Sequence, residues 1–341
     1  MDARRPRVAV VCGKAPIPDE TFIRREIEVL RRDCDVRIFG LGWRIPALRD
    51  IFAMRALPPR SAIPLLPRLR TVCEIASFVA DGGRIIAHFA WRTADVAAAA
   101  SRLSGMQWEC HVHAWDVFTR PPSEVRRRLE SASSVVACSR MAAEAVASCG
   151  IPPERISVSM HPLPTDKIQA RLRSPRRSSP HDPFRVVAVG RLVPKKGFDI
   201  LLRAWSLLPS GGASLVIVGD GPERGNLQRL ANAPSVPPGS VVFRGSLSED
   251  GTLDEIADAD LFVLPSRRMP DGDRDGISNA LREAMALGVR VVTTDAGAAP
   301  EVLPDSSSPG AGGVVLHAPV TPEALAGAMA REMELAYNKR R

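Results

Sequence analysis

Residues 271–300 read DGDRDGISNALREAMALGVRVVTTDAGAAP. An acidic loop containing Gly272 and Gly276 runs into a short helical stretch. The chain then turns at Gly288 into the apolar run VRVVTTD and closes in a Gly/Ala loop. Loop, helix and β-branched strand in this order are one unit of a parallel α/β sheet. Asp275 and Glu283 stand on either side of the loop-to-helix junction, eight positions apart. A helix N-terminus presents unpaired N–H groups and a partial positive charge, which suits phosphate. A carboxylate two turns further on is placed to accept hydroxyl protons.

The same alternation extends in both directions. In the first half, RVAVVC, CDVRIFG, RIIAHFA, ECHVHA and SVVACS read as strands. Between them, FIRREIEVLRR places Phe22, Ile23, Ile27 and Leu30 on one helical face. TADVAAAASRLSG ends at Gly105, a suitable C-terminal cap. Residues 44–70 are rich in Pro and Arg and read as irregular. The stretch LPTDKIQARLRSPRRSSPHDPF, 163–184, interrupts the pattern and reads as an interdomain connector. FRVVAVG, SLVIVGDG, VVFRG, LFVLPS and VRVVTTD then resume it, with helices at FDILLRAWSLL and 279–287. Strand–helix alternation repeated on both sides of a connector predicts two parallel-sheet domains. The expected divisions are 1–165, a linker at 166–184, 185–320 and a C-terminal helix at 321–341. Ligands of such sheets sit beyond the carboxyl ends of the strands, so the expected site is the cleft between the domains.

Composition narrows the class. The 341 residues allow two ordinary domains, and 45% hydrophobic residues support real cores. No apolar run reaches the roughly 18 residues of a membrane span, and MDARRPRVAVVCG reads as a first buried strand rather than a signal peptide. Cys12, Cys34, Cys73, Cys110, Cys138 and Cys149 form no C-x-x-C pair and have no His at metal spacing, so free thiols in a reducing cytoplasm are expected. The net charge of +8 is uneven: +7 over residues 1–165, +4 over 166–185 and −3 over 186–341. The basic half is either a solvated surface or one that meets phosphates on a lipid, an acceptor or a nucleic acid. With aromatics at 5%, a stacking platform for single-stranded nucleic acid is disfavoured.

Three further motifs bear on chemistry. GRLVPKKGFD, 190–199, follows a strand and supplies Arg191, Lys195 and Lys196, the basic half of a diphosphate clamp. Together with the loop–helix junction at 271–283 it suggests a sugar-nucleotide site. GDGPERGN, 219–226, lacks G-x-G-x-x-G spacing, which argues against a nicotinamide site. DGDRDG begins like a calcium loop, but its twelfth position falls on Arg282 and Glu283 comes one residue late. Its D-x-D pairs lie before a helix of the second domain, away from the place where metal-bound nucleotides are held.

Taken in order and spacing, GRLVPKKGFDILLRAW, GDGPE, LFVLPS and DGISNALREAMALGVRVVTTDAGAAPE resemble the donor domain of bacterial family 4 glycosyltransferases. ETFIRREIEVL, IIAHFA and HVHAWDVF resemble segments of the acceptor domain. The resemblance implies a GT-B fold of two Rossmann-like domains facing each other across a cleft. It implies that Arg191 and Lys196 hold the diphosphate and that Glu283 binds the ribose hydroxyls. Asp275, one methylene shorter than the family's usual Glu, would face the hexose. The backbone at Gly276, Ile277 and Ser278 would meet sugar or phosphate. His113 would reach the donor sugar near the reacting carbon, and Gly13 would let its loop approach the diphosphate. On the residues alone, Asp275 also reads as a helix cap, Glu283 as a solvated side chain, and one of His111 and His113 as a core histidine.

The implied reaction is retaining transfer of a hexose or amino-hexose from a nucleotide-diphosphate sugar, with UDP expected. The acceptor hydroxyl would belong to a polyprenyl-linked oligosaccharide or to a small metabolite such as an aminocyclitol. No metal and no other cofactor are expected. The enzyme would be cytoplasmic, with peripheral membrane contact through the basic half and no nucleic-acid partner. The alternative is a non-catalytic binding protein on the same scaffold. Family members run on through further helices, so either a single helix at 321–341 crosses back to the first domain or domain closure is looser.

Overall fold

The computed structural model describes residues 5–13, 20–41, 68–174, 183–209, 212–303 and 312–340. Most of the 44–70 stretch and residues 175–182 of the connector lie outside them. The chain divides into two compact units, Met1–Pro162 and Leu163–Arg341.

The first unit is a six-stranded parallel sheet. Its strands are β1 (Arg7–Cys12), β2 (Asp35–Gly40), β3 (Arg84–His88), β4 (Trp108–Val112), β5 (Ser134–Ala137) and β6 (Ile156–Val158). They lie in the order β2-β1-β3-β4-β5-β6. β1 is buried along nearly its whole length because helices cover both faces, which explains its unbroken apolar run. The Thr21–Leu30 helix turns Ile23 and Ile27 inward, as its periodicity predicts. The Arg92–Ser104 helix ends on Gly105 at φ 73°, whose N–H donates to the Ser101 carbonyl. The chain moves outward from β1 to β2 and then returns to β3, so the switch point lies between β1 and β3.

The second unit repeats the plan with β7 (Phe184–Val189), β8 (Ala213–Val218), β9 (Val241–Gly245), β10 (Leu261–Leu264), β11 (Arg290–Thr294) and β12 (Gly313–Leu316). Their order is β12-β11-β10-β7-β8-β9, all parallel, with the switch point between β7 and β10. The Pro322–Arg340 helix packs on the Phe198–Trp205 helix and buries Leu325 and Met329 completely. Its Glu332 receives a 2.5 Å hydrogen bond from Arg290 Nε at the start of β11.

Ten strands fall where the alternation predicts them. The two it does not predict, β6 and β12, are sheet edges of three and four residues. The other two edges, β2 and β9, are longer and are predicted; three or four residues at a sheet edge are too few to carry a periodic signal. The structure also differs in the expected connector, where Thr165–Leu172 is helical. Ile168 of this helix is buried, Lys167 Nζ pairs with Asp250 at 2.8 Å and Glu249 at 2.9 Å, and Arg171 Nε bonds Asp254 at 2.8 Å. These charges lie on the Glu249–Ala257 helix, about 80 positions away, so the sequence near the connector gives no sign of them.

The loops after β7 and β10 touch at Gly197. This residue has φ 69°, and a Cβ built on it would stand 2.0 Å from the Pro265 carbonyl oxygen. Gly197→Ala is therefore expected to cost at least about 1–2 kcal/mol from the left-handed backbone alone, and more from the clash. Urea unfolding with an unchanged midpoint would show that the two loops separate freely.

Candidate functional site

In the second unit, the predicted donor residues gather at the carboxyl ends of β7, β10 and β11. Lys196 follows β7 and places Nζ 2.8 Å from Asp275 Oδ2. Ser266, just beyond β10, donates its hydroxyl to the same carboxylate oxygen at 2.6 Å. Thr294, the last residue of β11, donates to the Ser266 carbonyl and ties the third strand to the group. Lys195 holds the neighbouring loop through Asp273 at 2.9 Å. The cluster straddles the switch point between β7 and β10, where the loops diverge and open sheets of this kind take their ligands.

Asp275 is buried. Burial opposes its ionisation, but Lys196, Lys195 and the Ser266 hydroxyl outweigh it and hold the carboxyl below its usual range. Its backbone is pressed from behind by the 295–299 loop. A Cβ on Gly297 would lie 2.3 Å from the Asp275 carbonyl oxygen, so only glycine fits there. Asp275 is not the helix cap. That position belongs to Ser278, whose side chain makes no capping hydrogen bond to the Asn279–Ala286 helix. The first N–H groups of this helix therefore point out beside Gly276, Ile277 and Ser278 without a side-chain acceptor from the cap. Glu283 lies on the same helix and is 4% exposed, so it is not a solvated surface acid. Arg191 is exposed on the loop after β7. Among the described residues its side chain makes no ion pair with the Asp275 cluster.

His113 and Gly13 belong to the first unit. Gly13, just past β1, is exposed, and a Cβ there would meet no atom within 4 Å. The unit itself thus gives no steric reason for glycine at that position. His113 lies one residue past β4, not on the strand, and starts the Ala114–Phe118 helix. Asp116 fixes it by accepting from the His113 N–H at 2.9 Å and the Ala90 N–H at 2.6 Å. Burial pushes the Asp116 carboxyl up to about 7 against the pull of these N–H groups. The His113 ring is buried, and neither ring nitrogen has a hydrogen-bond partner. Burial and the nearby imidazoles of His161, His88 and His111 hold it well below its usual pKa, so it is neutral at pH 7. His111 behaves oppositely. It is half-buried and pairs with Glu26 at 2.6 Å and Glu109 at 3.4 Å. Against the effect of burial, these acids push it up to about 9. Of the two, His113 is the buried one, as one of the pair was expected to be, and His111 is the one paired with acids.

Several contributors escape sequence reasoning. Ser266 sits within LFVLPS, but only the return of the chain at Asp275 gives its hydroxyl a partner. His88, Cys138 and His161 join His113 from three other strand ends, with no sequence spacing to announce them.

Removing one partner of a buried pair strands the other charge. Lys196→Met is expected to cost about 3–5 kcal/mol, and adding Asp275→Asn should recover most of it in urea unfolding. The sign with pH follows from the lowered pKa. The contribution of Asp275 is complete above its unfolded value of about 3.9 and disappears as the pH falls through the lower folded value. In Lys196→Met this acid-dependent loss should shrink, because the cation that lowers Asp275 most is gone.

Residues 183–334 match the family model described as glycosyl transferases group 1. A putative colanic acid biosynthesis glycosyltransferase, WcaL of Salmonella typhimurium, is 32% identical over 252 residues, 69% of this chain and 59% of that protein. A GDP-mannose-dependent alpha-(1-6)-phosphatidylinositol monomannoside mannosyltransferase of Mycobacterium tuberculosis is 40% identical over 124 residues, 35% of this chain and 31% of that one. The chain thus spans from about a third to three fifths of the length of these relatives. The solved structure of Anabaena Alr3699/HepE in complex with UDP-glucose superposes with a TM-score of 0.69 at 19% identity, covering 98% of this chain and 93% of that one. That likeness shows the GT-B fold. The matched stretch, which carries at its parallel-sheet switch point the acid, lysine and helix start described above, is a domain of the glycosyl transferases group 1 family.

Proposed function

We propose that this chain is a retaining glycosyltransferase that moves a hexose or amino-hexose from a nucleoside-diphosphate sugar to an acceptor hydroxyl. The observation that carries this reading is the buried Lys196–Asp275–Ser266 cluster beside an open helix start, at the switch point of the matched domain. In this reading Arg191, Lys196 and the N–H groups near Gly276 to Ser278 bind the diphosphate, Glu283 takes the ribose hydroxyls and Asp275 faces the sugar. Gly13 leaves room for the first strand–helix loop to approach the diphosphate. His113, neutral and held by Asp116, contacts the sugar near its anomeric carbon.

In the reaction, the bond between the anomeric carbon and the diphosphate oxygen breaks as the acceptor oxygen bonds to that carbon on the same face. The acceptor proton passes to the departing phosphate oxygen. Fixed cations and N–H dipoles stabilise the charge that grows on the diphosphate, so neither a metal nor another cofactor is required. Uracil is the expected base, although a relative of this chain is named for GDP-mannose. The acceptor is a polyprenyl-linked oligosaccharide or a small metabolite. Phosphate on the acceptor would suit the net charge of +7 over residues 1–165. It would also suit the cluster in which the Arg120 guanidinium lies 3.8 Å from the Trp91 ring and 4.7 Å from that of Trp115. Among the described residues no helix is long and apolar enough to cross a membrane, and peripheral contact through this basic half is part of the proposal.

The test is a thermal-shift panel of UDP-, GDP- and other nucleotide-sugars, followed by turnover with the stabilising donor. A shift with UDP-sugars is expected, and none with any nucleotide would sink the reading. Binding without transfer to any acceptor would favour a non-catalytic binding protein. Glu283→Ala should weaken nucleotide binding roughly 10-fold or more, the loss of about 1.4 kcal/mol or more expected for hydrogen bonds to a charged group, with the fold intact. Activity should survive EDTA. Loss on chelation, with restoration by a divalent ion, would overturn the metal-free mechanism.

A further inference from the structure

Three of the chain's six histidines, His111, His113 and His161, line one partly open cavity of about 260 Å³ in the first unit, and His88 packs against the rings of the first two. Their arrangement carries more than the proposed transfer uses. We propose that His113, Cys138 and His161 form a binding site for a divalent transition-metal ion, with zinc the best fit.

The three residues follow β4, β5 and β6, neighbouring parallel strands whose carboxyl ends point the same way. Their candidate donor atoms lie within 4.8 Å of one another. Zinc takes nitrogen and sulfur donors in tetrahedral geometry, with bonds of about 2.0–2.3 Å that set donor atoms roughly 3.5 Å apart. The site therefore needs to contract by only about an ångström, within reach of side-chain rotation. Cys138 and His113 are buried, and all three residues line the cavity, which provides an entry path. Three protein donors leave a fourth position for water or another small ligand.

A second observation points to a ligand. Both ring nitrogens of His113 are buried without a hydrogen-bond partner, a costly state for polar atoms. A metal ion would satisfy one of them. Phe22 and Phe89 wall the ring at centroid distances of 4.9 and 4.4 Å. The adjacent Glu26–His88–His111 group offers another three donors. Its Glu26 and His111 are already engaged with each other at 2.6 Å, and His111 also meets Glu109. An ion there would have to break that pairing. Binding at the His113 site displaces one proton, from the Cys138 thiol to solvent.

The site rests on its own donors and not on sugar transfer. If the proposed function holds, the ion would occupy His113 and oppose transfer, so the test reads the metal directly. The full chain is stripped with a chelator, loaded with zinc, desalted and its metal counted. Zinc affinity is measured against a competing chelator, and cobalt(II) is substituted to look for thiolate-to-metal charge-transfer absorption. One zinc per chain is expected. Cys138→Ser and His161→Gln should each weaken binding at least about 10-fold, since even losing a group that hydrogen-bonds a ligand costs that much. Cys138→Ser should also abolish the charge-transfer band, while Cys149→Ser should keep both zinc and band. Circular dichroism checks the fold of each variant, and His161→Gln decides if Cys138→Ser does not fold. Zinc that is not retained by the unaltered chain, or that is retained equally by Cys138→Ser and His161→Gln, overturns the site.

Discussion

The buried ion pair between Lys196 and Asp275 is the constraint on which the second unit's site depends. Taking two charges out of water costs several kcal/mol per ion, and their attraction offsets this only with good geometry and further hydrogen bonds. The unit meets that demand from three strands at once. Lys196 arrives after β7, Ser266 after β10, and Thr294 at the end of β11 steadies Ser266. Gly197 and Gly297 are the spatial consequence, since the loops that carry the pair leave no room for a Cβ at either position. With its carboxylate held ionised and its loop pinned, Asp275 delivers the chain to an uncapped helix start with fixed direction. An anion site built on backbone N–H groups needs that rigidity.

The first unit solves a different problem at its own carboxyl edge. There the titratable groups are imidazoles, and burial divides them by partner. His111 lies beside Glu26 and Glu109 and is held protonated. His113 and His88 face mainly other imidazoles and apolar rings, and burial keeps them neutral. One strand-end cluster thus holds a cation paired with acids next to lone pairs on neutral nitrogens. The second kind of nitrogen can accept from a hydroxyl or bind a metal ion.

Much of the fold was legible because buried parallel strands carry unbroken β-branched runs, and ten of them announce themselves. The Gly105 cap and the apolar face of the Thr21–Leu30 helix were legible for the same reason: local geometry demands those residue types. β6 and β12 were not, because three or four residues at a sheet edge are too few to carry a pattern, and the Thr165–Leu172 helix was not, because its ion pairs lie on a helix far along the chain. Of the candidate site, the acid spacing from Asp275 to Glu283 and the Arg191–Lys196 loop were visible as motifs. The sequence left open whether Glu283 is solvated and whether Asp275 caps the helix. Burial of the first and engagement of the second by Lys196 and Ser266 answer both.

The sequence by itself therefore determined the repeated strand–helix order, the two units and the residue types of a phosphate-friendly helix start, because these are set by neighbours within a few positions. Tertiary structure alone decided which groups share one place. Lys196 meets an acid 79 residues away, and His113 meets Cys138 and His161 from separate strands. Charge state follows the same division. His111 and His113 are two residues apart, yet one is a cation and the other neutral, because ionisation responds to burial and to partners: Glu109 is local to His111, while Glu26 and the imidazoles around His113 are brought there by the folded sheet.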